Sequence, residues 1–260
     1  GATGNAVEGN VIGADKSGNS DLGNFGDGVH LNNDTSGNTI GGTAAGARNV
    51  ISGNDSDGIE ITGASTSGNA VAGNFIGTKA DGSSPLGNGG AGVLITLQSR
   101  VNRIGGLSPG EGNTIAYNGG DGVDIGSATA GTGNAVLANS IFSNTNLGID
   151  VGPDGVTPND PDDSDSGPNN LLNFPVLLSA LSNAGQTTIL GKVRTDVSSD
   201  SLTLQLYVSD EADPSGYGEG AEPLTMVTPA SNGTFSVSMS QLSAAKWLTD
   251  RHTATMQQEV

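Results

Sequence analysis

Apolar residues come in short bursts along the first 150 residues of this chain. Pieces of three to five residues alternate β-branched aliphatics with small or polar residues, and Gly and Asn bound each piece. Such period-two runs predict short strands, and no stretch carries the i, i+3, i+4 spacing of an amphipathic helix. One phrase, Gly then apolar, variable, apolar, recurs as GVHL at 28, GIEI at 58, GVLI at 92, GVDI at 122 and GIDV at 148. Two more strand-sized phrases fall inside each interval. Three short strands per turn, repeated, predict an all-β fold built on a right-handed parallel β-helix of about five coils.

The chain also repeats over a longer distance. GNAVEGNVIG at 4–13 returns as GNAVAGNFIG at 68–77, 64 residues later, and NTIGG at 38–42 returns as NRIGG at 102–106. DGIEI at 57–61 meets DGVDI at 121–125, and a partial third copy runs from GNAVLANSIF at 133–142 to LGIDV at 147–151. In a β-helix each coil lies about 4.8 Å from the last, so equivalent residues meet equivalent neighbours and the sequence repeats. Val29, Ile59, Val93, Val123 and Ile149 are expected in one inward column, with long loops leaving the helix near residues 80–90 and 105–112. Gly and Asn are expected to take left-handed conformations at the corners, and aligned Asn side chains to form ladders.

The repeat stops near residue 155. The next stretch, GPDGVTPNDPDDSDSGPNN at 152–170, holds four prolines and five aspartates and reads as a linker or ordered loop. Longer alternating segments follow, FPVLLSALS, TTILGKVRT, SLTLQLYVSD and TFSVSMS, which predict a small antiparallel β-sandwich-like module. The expected organisation is therefore a β-helix over 1–155, an acidic linker over 156–170 and the module over 171–260. The chain opens in mid-pattern and closes on RHTATMQQEV, as expected of a fragment.

NTIGG, NVISGN, DGIEI and GNAVAGNFIGTKADGSSPLGNGGAGVLI resemble the parallel β-helix repeats of the pectin-lyase-like superfamily, in the form found in large secreted or surface proteins of bacteria. NFPVLLSA and DPSGYGEG are similar to the small all-β module that follows such repeats. The resemblance implies an extracellular or cell-surface location. It is specific for fold and says little of function, because that superfamily holds lyases, hydrolases, epimerases and adhesins.

Charge narrows the partners. With 27 acids against nine Lys and Arg the net charge is −18, and no Lys or Arg lies between Arg103 and Lys192. Such a surface repels nucleic acid and anionic membranes, and no apolar run is long enough to span a bilayer. The absence of cysteine removes disulfides, thiolate nucleophiles and Cys-based metal sites. No nucleotide-binding or nucleophile-elbow phrase occurs, and no organic cofactor is implied.

Candidate chemistry lies on the outward face. The variable residues of the five phrases, His30, Glu60, Leu94, Asp124 and Asp150, are expected to form one outward column, with Glu60, Leu94, Asp124 and Asp150 as the ligand-binding set. Stacked carboxylates can share a proton, bind a cation, or act as acid and base on a sugar. The resemblance implies that a lyase would add an Arg or Lys, yet Lys79, Arg100 and Arg103 lie outside the column phrases. Asp27, Asp57 and Asp121 each precede a strand-opening Gly and are expected to serve turn chemistry. His252 and Trp247 are expected as module packing or edge residues rather than a site. Asp160, Asp162, Asp163 and Asp165 supply hard oxygen ligands that suit Ca²⁺. The function expected is a structural or carbohydrate-binding repeat protein; the alternative is a polysaccharide-active lyase or glycoside hydrolase using the outward carboxylates.

Overall fold

The computed structural model describes residues 1–242 and 247–249, apart from residues 45, 127–130, 162, 195–201, 211–212, 214–215 and 218. His252 therefore lies outside the described residues. The first 152 residues form five coils of three short strands each. The strands are β1 Ala6–Val7, β2 Val11–Ile12 and β3 Val29–Leu31; β4 Thr39–Gly41, β5 Val50–Ile51 and β6 Ile59–Thr62; β7 Ala70–Ala72, β8 Phe75–Ile76 and β9 Val93–Thr96. The last two coils hold β10 Arg103–Gly105, β11 Thr114–Ala116 and β12 Val123–Gly126, then β13 Ala135–Leu137, β14 Ser140–Phe142 and β15 Ile149–Gly152. They stack into three parallel five-stranded sheets, β1-β4-β7-β10-β13, β2-β5-β8-β11-β14 and β3-β6-β9-β12-β15.

The expected inward column is present. Val29 pairs with Ile59, Ile59 with Val93, Val93 with Val123, and Val123 with Ile149. Ile40, Val71, Ile104 and Val136 stack on the first sheet, and Ile51, Ile76, Ile115 and Ile141 on the second. All of these interior residues except Val29 are buried, in one aliphatic core. Each fully buried Ile contributes about 1.5–3 kcal/mol of hydrophobic stabilisation.

Three ladders of Asn run along the corners, exposed in the first coil and buried in the other four: Asn5, Asn38, Asn69, Asn102, Asn134; Asn10, Asn49, Asn74, Asn113, Asn139; and Asn24, Asn54, Asn88, Asn118, Asn144. The side-chain amide in one coil donates to the Oδ1 of the next, and in most rungs its backbone N–H donates to the same oxygen, as from Asn74 to Asn113 at 2.9 and 3.0 Å. The second amide proton reaches back to a strand carbonyl, as from Asn74 to Ile40 at 2.9 Å. A carboxamide both donates and accepts, which is why this corner is written in Asn.

The left-handed corners depart from expectation in one respect. Gly takes the left-handed form as expected, but among the described Asn only Asn33, Asn169 and Asn170 do and none in the ladders; before most ladder residues the positive φ falls on the preceding residue, such as Gly9, Gly53 and Gly73, and Tyr117, Ala138 and Ser143 in later coils. The glycines that open the third-sheet strands serve close packing instead: a Cβ on Gly58 would sit 2.8 Å from Ile76 and 2.6 Å from the Gly92 carbonyl.

The 64-residue repeat spans two coils because the loops alternate. Long excursions leave the second corner in the first and third coils, over 13–28 and 77–92, and the first corner in the second and fourth, over 42–49 and 106–113. Excursions then meet their equivalents two coils away, as where Ala80 N–H donates to Gly18 O at 3.0 Å; the short corners at Gly73 and Gly9 donate instead into the excursion of the next coil, to Glu111 and Ala47.

A short 3₁₀ turn, Pro168–Leu171, leads to the C-terminal module. It contains β16 Val176–Asn183, β17 Gln186–Lys192, β18 Leu204–Ser209, β19 Glu222–Val227, β20 Thr234–Ser240 and β21 Trp247–Thr249. These form two antiparallel three-stranded sheets, β16-β17-β20 and β19-β18-β21, around Ile189, Leu204, Leu206 and Phe235. β19 is absent from the sequence expectation because Pro223 disfavours a strand; it is tolerated at the sheet edge.

The module closes the end of the β-helix. Asn169 Oδ1 accepts from Asn134 N–H at 3.0 Å, Glu219 accepts from Asn144 Nδ2 at 2.8 Å, and Gln205 Oε1 accepts from Ala138 N–H at 3.0 Å. Ile141 N–H donates to Gly220 O at 2.9 Å. Asn74→Ala would orphan the donors of Asn49 and the carbonyl of Ile40, so it is expected to cost about 3–5 kcal/mol. Asn5→Ala, on the edge coil, should cost about 1 kcal/mol. Urea unfolding of the two variants checks this, and equal losses would show that the ladder does not carry the stability assigned to it.

Candidate functional site

The third sheet carries one outward residue per coil, and strand pairing fixes their alignment. His30 pairs with Glu60, Glu60 with Leu94, Leu94 with Asp124, and Asp124 with Asp150. Because inward aliphatic residues flank each, strand alternation turns the middle side chain outward. Neighbouring members lie one strand spacing apart, about 4.8 Å.

The column is outward as expected, but it is not evenly solvated. Glu60 and Asp124 are half-buried, and Asp150 is only 3% exposed. The chain after β15 folds back over Asp150, where Gly155 N–H donates to its Oδ2 at 2.8 Å. Burial first, then the charges of Asp121, Asp150, Asp57 and Asp154, push Asp124 up to about 7. Burial, opposed by the Gly155 bond and reinforced by Asp121 and Asp154, pushes Asp150 up to about 6. Burial also raises Glu60, although His30 pulls the other way.

A second row of aspartates lies beside this column. Asp27 accepts from Asp57 N–H at 3.1 Å, Asp57 from Ala91 N–H at 2.6 Å, and Asp121 from Leu147 N–H at 2.8 Å. Each of these bonds runs to the following coil, so the corner aspartates tie coils together, where turn chemistry within their own coil was expected. Asp27 also meets the column: its Oδ2 lies 3.0 Å from His30 Nδ1, which lies 3.0 Å from Glu60 Oε2.

The basic residues sit elsewhere. Arg103, on the first sheet, pairs with Glu111 at 3.3 Å, and Arg48 lies 4.1 Å over the Phe75 ring and donates to Gly73 O. Within the column itself His30 is the one residue able to carry positive charge.

In the linker, Asp160, Asp163 and Asp165 converge, with one carboxylate oxygen of each within 4.8 Å of the others. Asp162 lies outside the described residues. Asp160 Oδ2 accepts from Ser164 N–H, Asp163 Oδ1 accepts from Asn173 N–H, and Asp165 Oδ1 is enclosed without a hydrogen-bond partner. That orphaned oxygen is what a bound cation would satisfy.

A cavity of about 710 Å³ opens between the last coil and the module, lined by Ser140, Phe142, Asn144, Asp213, Glu219 and Glu222 among others. Burial pushes Glu219 up to about 7 against the bonds it accepts from Asn144. Its role at the ladder end had no signal in the sequence, because GYGEGAEP belongs to no repeat. The chain matches no protein-family model, no curated protein and no solved structure.

Asp124, Asp150 and Glu219 keep their protons to higher pH folded than unfolded. Between about pH 4 and pH 7 the folded chain therefore binds more protons, so their stabilisation is fully present below the unfolded values and is lost as pH rises through the folded ones. The melting temperature is expected to fall by several degrees, roughly 3–8 °C, from pH 5 to pH 8. Asp124→Asn should raise the melting temperature at pH 8 and flatten the slope; an unaltered slope would remove Asp124 from this account.

Proposed function

We propose that the chain is a secreted or surface-displayed β-helix of pectin-lyase-like type that binds neutral, hydroxyl-rich polysaccharide along the third sheet. The observation that carries this reading is the continuous register of Glu60, Leu94 and Asp124, with the enclosed Asp150 ending the row. Carboxylates accept hydroxyl hydrogen bonds, and Leu94 supplies an apolar step between them. A polyuronate fits poorly, since its carboxylates would face Asp57, Asp121 and Asp124 with His30 as the column's one potential cation. The same electrostatics disfavour a lyase, which must neutralise a uronate.

A glycoside hydrolase is the second reading, favoured by the pairing of Asp124 with Asp150 and by their upward shifts to about 7 and about 6. One would donate a proton to the glycosidic oxygen while the other acts from the adjacent strand, and a strand spacing suits the roughly 5–5.5 Å carboxyl separation of retaining enzymes. Asp150 is too enclosed for ready access to a sugar ring, so binding stands first. The linker set Asp160, Asp163 and Asp165 is included as a Ca²⁺ site that fixes the segment leading into the module.

A panel of neutral and acidic polysaccharides tests the reading. Retention of neutral glycans without release of reducing ends, weakened about tenfold in Asp124→Asn, is expected. Release of reducing ends that disappears in Asp124→Asn would establish the hydrolase instead, and unchanged binding in that variant would move the site off this sheet. For the linker, 1 mM Ca²⁺ should raise the melting temperature relative to chelator by a few degrees, about 2–4 °C. No shift would leave the aspartates as solvated linker.

A further inference from the structure

We propose that Asp27, His30 and Glu60 form a transition-metal site that staples the first coil of the β-helix to the second. The site lies at the end of the outward column and shares Glu60 with the glycan reading, whose test rests on Asp124. Two carboxylate oxygens, Asp27 Oδ2 and Glu60 Oε2, converge at 3.0 Å on the single atom His30 Nδ1. All three candidate ligand atoms lie within 4.8 Å of one another. A neutral or protonated imidazole has one hydrogen at most on Nδ1, so it cannot give a full linear hydrogen bond to both oxygens. Ligands held about 2.1 Å from one octahedral ion lie about 3.0 Å apart along an edge, so the two distances from His30 Nδ1 fit two edges of such a coordination shell.

The donor set points to a class of ion. One imidazole nitrogen with two carboxylate oxygens suits Zn²⁺, Co²⁺ or Mn²⁺, whereas Ca²⁺ takes oxygen alone. The set is also oriented from behind: Asp27 Oδ1 accepts from Asp57 N–H at 3.1 Å, which turns Oδ2 toward His30. Such outer bonds are what hold metal ligands in place. The His30 side chain is 39% exposed, so an ion there keeps positions open to water.

The location gives the ion its work. Asp27 and His30 belong to the first coil and Glu60 to the second. The first coil is the edge of all three sheets, and its Val7, Ile12 and Val29 are only partly buried where their counterparts in the second coil are enclosed. An ion held by all three residues therefore adds binding free energy to the contact between these two coils.

The test uses the full chain with Zn²⁺ as the probe. Calorimetry should show one site of this kind, weakened at least tenfold in His30→Gln and in Glu60→Gln. Co²⁺ should give the d–d absorption of an N/O site in the wild type and lose it in His30→Gln. Zn²⁺ should also slow hydrogen exchange at the Val29 amide, which bonds Gly58 O across the coils at 3.0 Å. The Val123 amide, which bonds Gly148 O at 2.9 Å, should be unaffected. The exchange comparison lies within the wild type, so it holds whether or not a variant folds. Asp124→Asn should keep the whole response, which separates this site from the glycan face. Equal Zn²⁺ affinity in His30→Gln, or no change at Val29, would overturn the proposal and leave the cluster as an ion pair.

Discussion

The buried Asn side chain that bridges successive coils is the interaction on which the rest of this structure depends. Strands of two to four residues make too few backbone bonds to fix their own register. The Asn at each corner fixes it for them, because its one oxygen takes donors from the coil before and its amide returns a bond to a strand carbonyl there. Once that registry is set, Ile falls on Ile, excursion loops meet their equivalents, and outward side chains align into rows. An unpaired carboxamide in this position would cost about as much as several of these bonds contribute, so the ladder is specified as strongly as the aliphatic stack.

The ladders also have a direction. Every rung donates toward the C-terminal end, so the last coil presents donors with no sixth coil to receive them. Asn169 and Glu219 take them from Asn134 and Asn144, while beside the second ladder Gln205 accepts from the Ala138 N–H and is held by Tyr207 through a 2.8 Å bond. The module therefore ends the β-helix by continuing its hydrogen bonding with unlike residues. Using a carboxylate for this role carries a cost: Glu219 is buried, and its ionised form is disfavoured beside Asp213.

The same registry concentrates charge. Placing Asp27, Asp57 and Asp121 in one row and Glu60, Asp124 and Asp150 in the next gathers like charges that an irregular fold would disperse. Coils one strand spacing apart leave little water between them, so repulsion and desolvation add. The acids of the third sheet are thus held at the expense of stability, as binding and catalytic groups commonly are. The two ends of the row resolve the problem differently. At the first coil His30 meets two carboxylates, while at the last Asp150 is covered and takes a backbone bond.

What repeats was legible in the sequence. The aliphatic stacks, the coil boundaries, the aligned Asn and the outward column from His30 to Asp150 follow from phrases read against each other, because each residue meets its own kind one coil away. Even the 64-residue period was visible, although its cause, excursions alternating between two corners, appears only once the loops are seen to touch. What does not repeat was decided by the tertiary structure. The covering of Asp150 depends on Gly155, the meeting of Asp27 with His30 and Glu60 depends on how a corner packs against a strand, and the capping role of Glu219 depends on a residue 75 positions from its partner. The left-handed backbone of Tyr117 and Ala138 belongs here too, since neither residue type prefers it and the stack imposes it. Periodic contacts write themselves into sequence as periodicity, whereas a single contact between unlike segments leaves no pattern until the chain has brought them together.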